Sequence, residues 1–204
     1  MNEDEVWQAV DTHRRAVVAM LEGLTDAQWK EPSLCDEWTV RDVAGHLAWQ
    51  QNIWTPATVL GILRARGNLD RAIRDIACRH ARRPVEELIA QIRGIIGTHR
   101  AMPTLTPVEF LIDILVHSQD IAVPLRYPLD LPPQPAAVAA TRLWTKDTLL
   151  PGVKNLKPQR FVATDTDWSV GQGPVVRGPI TAILLLFSGR AAAVVDSGKV
   201  VLAT

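Results

Sequence analysis

The chain has 204 residues, 47% hydrophobic and 22% charged, the proportions of a globular protein with enough apolar material for a core. Its 22 basic and 22 acidic residues cancel, which argues against a dedicated binder of nucleic acid or of an anionic membrane. Two isolated cysteines, an acidic start without the marks of a signal peptide, and a longest apolar run of only Ile180–Phe187 point to the cytoplasm.

Helical spacing of Val6, Val10, Val17 and Leu21 predicts a first helix over Glu3–Glu22, stopped by Gly23. Thr39 reads as the N-cap of a second helix, with Asp42 at its positive end. Val40, Val43, Leu47 and Trp54 carry that helix toward Pro56. A third is expected over Asp70–Ala81, inside an arginine-rich segment (64–83) that reads as a solvated face. Pro84 opens a helix with Leu88, Ile89, Ile92, Ile95 and Ile96 inward, and Thr106-Pro107 opens another that runs to about Val123. Pro128, Pro132, Pro133 and Pro135 read as a stiff link into a helix over Ala136–Leu149.

Beyond Pro151 the texture changes. Short strands are expected at Arg160–Thr164, Trp168–Val170, around Val175-Val176 and at Val200–Ala203, with a helix over Thr181–Ser188. The expected organisation is a helical bundle over residues 1–150 and a small α+β segment over 151–204, packed on the bundle because such short strands cannot stand alone. Most of the seven tryptophans should fill the helical core, with some left for a pocket wall.

The helix after Pro107 carries the chemistry. At about 100° per residue, Glu109, Asp113, His117 and Asp120 fall within roughly 80° of one another, a polar stripe on an otherwise apolar helix. Buried charges need partners or a metal. Asp113 and His117 are one turn apart, with Cβ atoms about 6 Å from each other, so both can reach one ion. Glu109 is about 12 Å from His117 along the axis, too far to share it. His46, beside Gly45 on the second helix, is the candidate for a third ligand. Asp113 and His117 can equally pair with each other, and spacing alone does not separate the two readings.

Other residues read more plainly. His13, His80 and His99 lie among charged or loop residues and are expected to be solvated. Cys35 reads as inert packing beside Leu34, with a reactive thiol the lesser reading. No phosphate-binding glycine loop or nucleophile elbow is present, since Gly171-Gln172-Gly173 lies between strands.

The run Leu34-Cys35-Asp36-Glu37-Trp38-Thr39-Val40-Arg41-Asp42-Val43-Ala44-Gly45-His46-Leu47 resembles the opening of the mycothiol-dependent maleylpyruvate isomerase family, in the DinB-like metal-binding four-helix superfamily. Asp113 to His117, with Gln119-Asp120-Ile121 and Pro124-Leu125, resembles the family's second metal motif. Ala163-Thr164-Asp165, Trp168-Ser169-Val170-Gly171 and Leu184-Leu185-Leu186-Phe187-Ser188-Gly189-Arg190 resemble its tail.

The resemblance implies a mainly α fold, a DinB-like four-helix bundle with a small C-terminal α+β segment. It implies a divalent metal, zinc by preference, held by His46, Asp113 and His117. Asp113 stands where the family often has Glu, one methylene longer. Asp120 or Glu109 would orient a ligand histidine. Mycothiol would be the cosubstrate, the source actinobacterial, and the activity that of an S-transferase or isomerase acting on a small electrophile through a metal-bound thiolate. The alternative is a non-catalytic metal- or small-molecule-binding member of the same fold. Partners would be the small-molecule thiol and the electrophilic substrate, with no nucleic acid and no membrane; a homodimer is compatible with this reading.

Overall fold

The structure, a computed structural model, describes residues 1–49, 69–99, 105–146, 151–195 and 201–202. The chain divides into two compact units, one formed by residues 11–99 and 117–128, the other by 1–10, 100–116 and 129–204. Helix α1 (Glu3–Glu22) keeps its expected bounds and starts on a reciprocal cap, Glu5 N–H donating to Asn2 Oδ1 at 2.9 Å and Asn2 N–H to Glu5 Oε2 at 2.8 Å.

The first unit is built on α2 (Val40–Trp49), α3 (Leu69–His80) and α4 (Val85–Gly94). Thr39 caps α2 as expected: its N–H and hydroxyl donate to Asp42 Oδ2 at 2.9 and 2.6 Å. The expected continuation of α2 past Trp49, with Trp54, lies outside the described residues, as do Arg64 and Arg66. Gly45 is where α2 meets α3. A Cβ there would stand 2.8 Å from Ala81 N and Cβ and 2.9 Å from the Ala77 carbonyl, so this approach of the two backbones requires glycine. Arg41 closes the same contact, its Nε donating to the Ala81 carbonyl at 2.6 Å. Arg71, Arg74, Arg79, Arg82 and Arg83 are exposed; Arg74 pairs with Glu37 and Arg83 with Glu87.

His13 is not solvated. It is buried on α1, and its Nε2 lies 2.8 Å from Ser118 Oγ. Burial lowers its pKa from 6.5 to about 4, so it is neutral at neutral pH. Its place on the inner face of α1 explains the correction, because charged sequence neighbours on a helix point elsewhere. His80 is half-buried against Gln91 Oε1 at 2.6 Å. His99 is exposed, with Nε2 2.9 Å from Asp11 Oδ2. Burial raises the Asp11 pKa, but hydrogen bonds from His99 and the Gly97 N–H and the charge of Arg14 outweigh it and hold the carboxyl below its usual range.

Helix α5 (Pro107–Ala122) contributes to both units, the division falling between Val116 and His117. The second unit adds α6 (Pro133–Thr145), which starts earlier than expected: Pro133 and Pro135 sit in its first turn, where a missing N–H removes no helical bond. It also ends earlier, with Lys146 outside helical geometry. A 3-10 turn (Pro151–Leu156) leads to β1 (Arg160–Ala163), β2 (Ser169–Gly171), β3 (Val175–Gly178), α7 (Ile180–Phe187), α8 (Ala191–Val195) and β4 (Val201–Leu202).

The sheet runs β2-β1-β3-β4, with β1 antiparallel to β2 and parallel to β3, and β4 antiparallel to β3. Phe161 sits opposite Val170 on one side and Val176 on the other. To pass from one edge of β1 to the other the chain turns at Gly171 and Gly173, with φ of 81° and 116°. A Cβ at either glycine would collide with the carbonyl of Gln159 or Pro158. Asp165, read as a turn residue, also accepts the Ile180 N–H at 2.8 Å, at the start of α7. Trp144 of α6 and Phe187 of α7 stack at 5.4 Å, and Phe161 of β1 meets Phe187 edge-on at 4.9 Å. Residues 129–204 belong to the same compact unit as 1–10 and 100–116.

Candidate metal centre

A tight turn ahead of α2 presents the first groups. Pro32 and Thr39 form an isolated antiparallel bridge, Ser33 N–H donates to the Trp38 carbonyl at 2.9 Å, and Trp38 N–H to that of Cys35 at 3.1 Å. Leu34 N–H reaches the Asp120 carbonyl at 3.1 Å, tying the turn to the end of α5. Two side chains are fixed by this arrangement. Trp38 lies nearly parallel to the His117 ring, with centroids 6.1 Å apart and an interplanar angle of 21°, and 5.6 Å from that of His46. Cys35 Sγ stands 3.0 Å from Asp120 Oδ2 and 3.8 Å from His117 Nδ1.

His46 is buried on α2, and its ring meets that of His117 edge-on, with centroids 4.7 Å apart. His117 Nδ1 lies 2.8 Å from Asp120 Oδ2, and Asp120 is fully buried. One turn before His117 on α5 stands Asp113. One ligand atom from each of His46, Asp113 and His117 lies within 4.8 Å of the other two, and the same holds for Cys35, His117 and Asp120. Two imidazoles and a carboxylate suit a divalent ion with a position left open.

Glu109 does something else. Its Oε2 accepts from Thr106 N–H and Oγ1 at 2.7 and 2.6 Å, and its Oε1 accepts from Arg142 Nε at 2.7 Å. Burial raises its pKa, but these hydrogen bonds and the Arg142 charge outweigh it and lower the pKa. The expectation that Glu109 orients a ligand histidine is therefore corrected: it caps α5. The signal was in the sequence, since Thr106-x-x-Glu109 is a capping box.

Three matches among known proteins bear on the fold. Residues 10–109 match the family model described as the mycothiol maleylpyruvate isomerase N-terminal domain. Those residues, just under half of the chain, are similar to that family's N-terminal domain.

A crystal structure of the mycothiol-dependent maleylpyruvate isomerase, in a histidine-to-alanine mutant, is similar with a TM-score of 0.63 at 14% identity, over 98% of this chain and 92% of that one. A second crystal structure of the mycothiol-dependent maleylpyruvate isomerase gives 0.59 at 12% identity, over 94% and 91%. No curated protein sequence matches the chain significantly. At these identities the likeness establishes the fold, which is mainly α and DinB-like with a small α+β segment at the C-terminal end. The matched N-terminal domain holds Cys35, Trp38 and His46, while Asp113, His117 and Asp120 lie beyond its last residue.

Sequence reasoning missed Cys35 and Trp38. Both lie in an irregular turn, where no periodicity assigns a direction to a side chain. Cys78, the other free cysteine, is half-buried; burial and the neighbouring Asp42 carboxylate raise its thiol pKa, which keeps it protonated.

Proposed function

We propose that this protein is a divalent-metal-dependent S-transferase or isomerase that uses a low-molecular-weight thiol, mycothiol by analogy with its structural neighbours, against a small electrophile. The observation that carries the reading is the donor set on this fold: His46, Asp113 and His117 offer three ligand atoms within 4.8 Å of one another. Zinc suits imidazole and carboxylate donors, and when bound with an open position it favours the thiolate form of a thiol at neutral pH.

The chain's own residues do the rest. Asp120 accepts from His117 Nδ1, which leaves Nε2 as the lone-pair nitrogen. Trp38 covers a face of the His117 ring and limits its rotation. Asp113, shorter than the family's common Glu, would hold the ion as the third ligand beside His46 and His117. Among the described residues no helix is long and apolar enough to cross a membrane. With two free cysteines, a cytoplasmic setting and small-molecule partners fit the proposal.

The test is loss of free thiol from a mixture of mycothiol and an electrophile such as maleylpyruvate, with and without added Zn²⁺, alongside product analysis. Zinc-dependent isomerisation or conjugation that Asp113→Asn diminishes supports the proposal. Tight zinc binding without turnover of any electrophile tried would leave the non-catalytic metal binder, and absence of divalent-metal binding would leave only a small-molecule binder on this fold.

A further inference from the structure

Asp120 is fully buried, and two different groups address the same oxygen of it: His117 Nδ1 at 2.8 Å and Cys35 Sγ at 3.0 Å from Oδ2. An ionised carboxylate accepts from both, so the imidazole donates through Nδ1–H and the thiol through S–H. The thiol is not there by a side-chain accident. Cys35 N–H donates to Ser33 Oγ at 3.1 Å, its carbonyl accepts from Trp38 N–H, and the adjacent Leu34 N–H is bonded to the Asp120 main-chain carbonyl at 3.1 Å. The same short turn therefore grips Asp120 by backbone and by side chain.

We propose that Cys35 is a positioning residue for His117: its thiol shares Asp120 Oδ2 with His117 Nδ1–H and fixes the carboxylate that holds the ring in the Nδ1–H tautomer, with Nε2 turned toward the metal position. The proposal rests on the metal reading given above, and it deepens that reading by assigning a role to a thiol that supplies no bond to the ion. The thiol donor on Oδ2, with the chain on both sides of Cys35 pinned, restrains rotation of the carboxylate about its Cβ–Cγ bond. The set Cys35, His117 and Asp120 also satisfies the distances of a ligand trio. Occupying it would require breaking the Nδ1–H···Oδ2 bond and removing the Cys35 thiol from the buried Asp120 carboxylate, which disfavours it.

The experiment compares wild type with Cys35→Ala and Cys35→Ser, the serine hydroxyl being a donor of similar reach. In zinc-free protein, nitrogen-15 NMR of the His117 ring reads the tautomer directly. The expected result is a single Nδ1–H form in wild type and in Cys35→Ser, and a mixture of tautomers in Cys35→Ala. Zinc titration is expected to give a loss of about 10-fold in Cys35→Ala, the low end for an outer partner of a ligand histidine, and recovery in Cys35→Ser. Thermal melts identify a variant that has merely lost its fold.

An unchanged His117 tautomer and unchanged zinc affinity in folded Cys35→Ala would overturn the proposal. So would an intense thiolate-to-metal band in the cobalt-substituted wild type that vanishes in Cys35→Ala, because it would make Cys35 a ligand. If wild type binds no zinc, the functional reading fails, and the tautomer comparison still decides the role of Cys35.

Discussion

His117 and Asp120, three residues apart on α5, place Nδ1 and Oδ2 2.8 Å from each other in a site where Asp120 has no exposed surface. Asp113 stands on the other side of His117, one turn toward the N-terminus. The two aspartates therefore have separable effects on a bound ion. Asp120→Asn should weaken Zn²⁺ binding roughly 10- to 100-fold, as loss of a histidine's outer partner does. Asp113→Asn should weaken it further, because a charged ligand becomes a neutral one, and Asp113→Glu should retain it. Calorimetric titration of the three variants measures this. If Asp120→Asn abolishes binding and Asp113→Asn leaves it intact, the ligand pair is His117 with Asp120.

His13 gives the chain a pH dependence of known sign. Burial lowers its folded-state pKa from 6.5 to about 4, so the folded form disfavours the charged ring. The stability tied to a neutral His13 is complete above about pH 6.5 and is lost as pH falls from there toward 4, where the unfolded chain binds the extra proton. The full loss is on the order of 3 kcal/mol. Urea melts across this range should show the decline, and His13→Gln, whose amide can still meet Ser118, should flatten it. An equally steep decline in His13→Gln would assign the effect to another group.

How much of this was legible in the sequence varies with the kind of residue. The limits of α1, the Thr39 cap and the stripe of Asp113, His117 and Asp120 follow from periodicity and cap chemistry, which act over a few residues. His13 was misread because its environment is set by α5, 105 residues further along the chain. Cys35 and Trp38 were unreadable for a related reason: their directions are imposed by a turn whose anchor is the carbonyl of Asp120. Glu109 failed differently, since its capping signal was present and the stripe was preferred to it.

Gly45 tests the packing that carries His46. A side chain there meets Ala81 N and the Ala77 carbonyl, backbone atoms that cannot swing aside. Gly45→Val should therefore destabilise by about 1–3 kcal/mol, the usual range for overpacking. For a chain of this length each kcal/mol lowers Tm by about 2–4 °C. A calorimetric scan with unchanged Tm would mean that α2 and α3 can separate freely at this point.

The sheet and α6 should melt together. Phe161 on β1 is fully buried, edge-on to Phe187 of α7 at 4.9 Å and to Trp144 of α6 at 5.9 Å, while Trp144 and Phe187 stack at 5.4 Å. Three elements thus share one aromatic cluster, and an empty Phe161 position would leave a cavity that rigid rings fill poorly. Phe161→Ala should cost about 3–5 kcal/mol, and Phe161→Leu less, because most of the volume is kept. Trp168 Nε1 also donates to Thr141 Oγ1 at 2.8 Å, a second tie between the turn after β1 and α6. Fluorescence in a Trp144-only background, compared with far-ultraviolet circular dichroism on the same sample, reads whether α6 leaves with the sheet. Coincident transitions, shifted equally by Phe161→Ala, are expected; loss of the strand signal while Trp144 keeps its native emission would show the sheet to be a separate body that merely rests against α6.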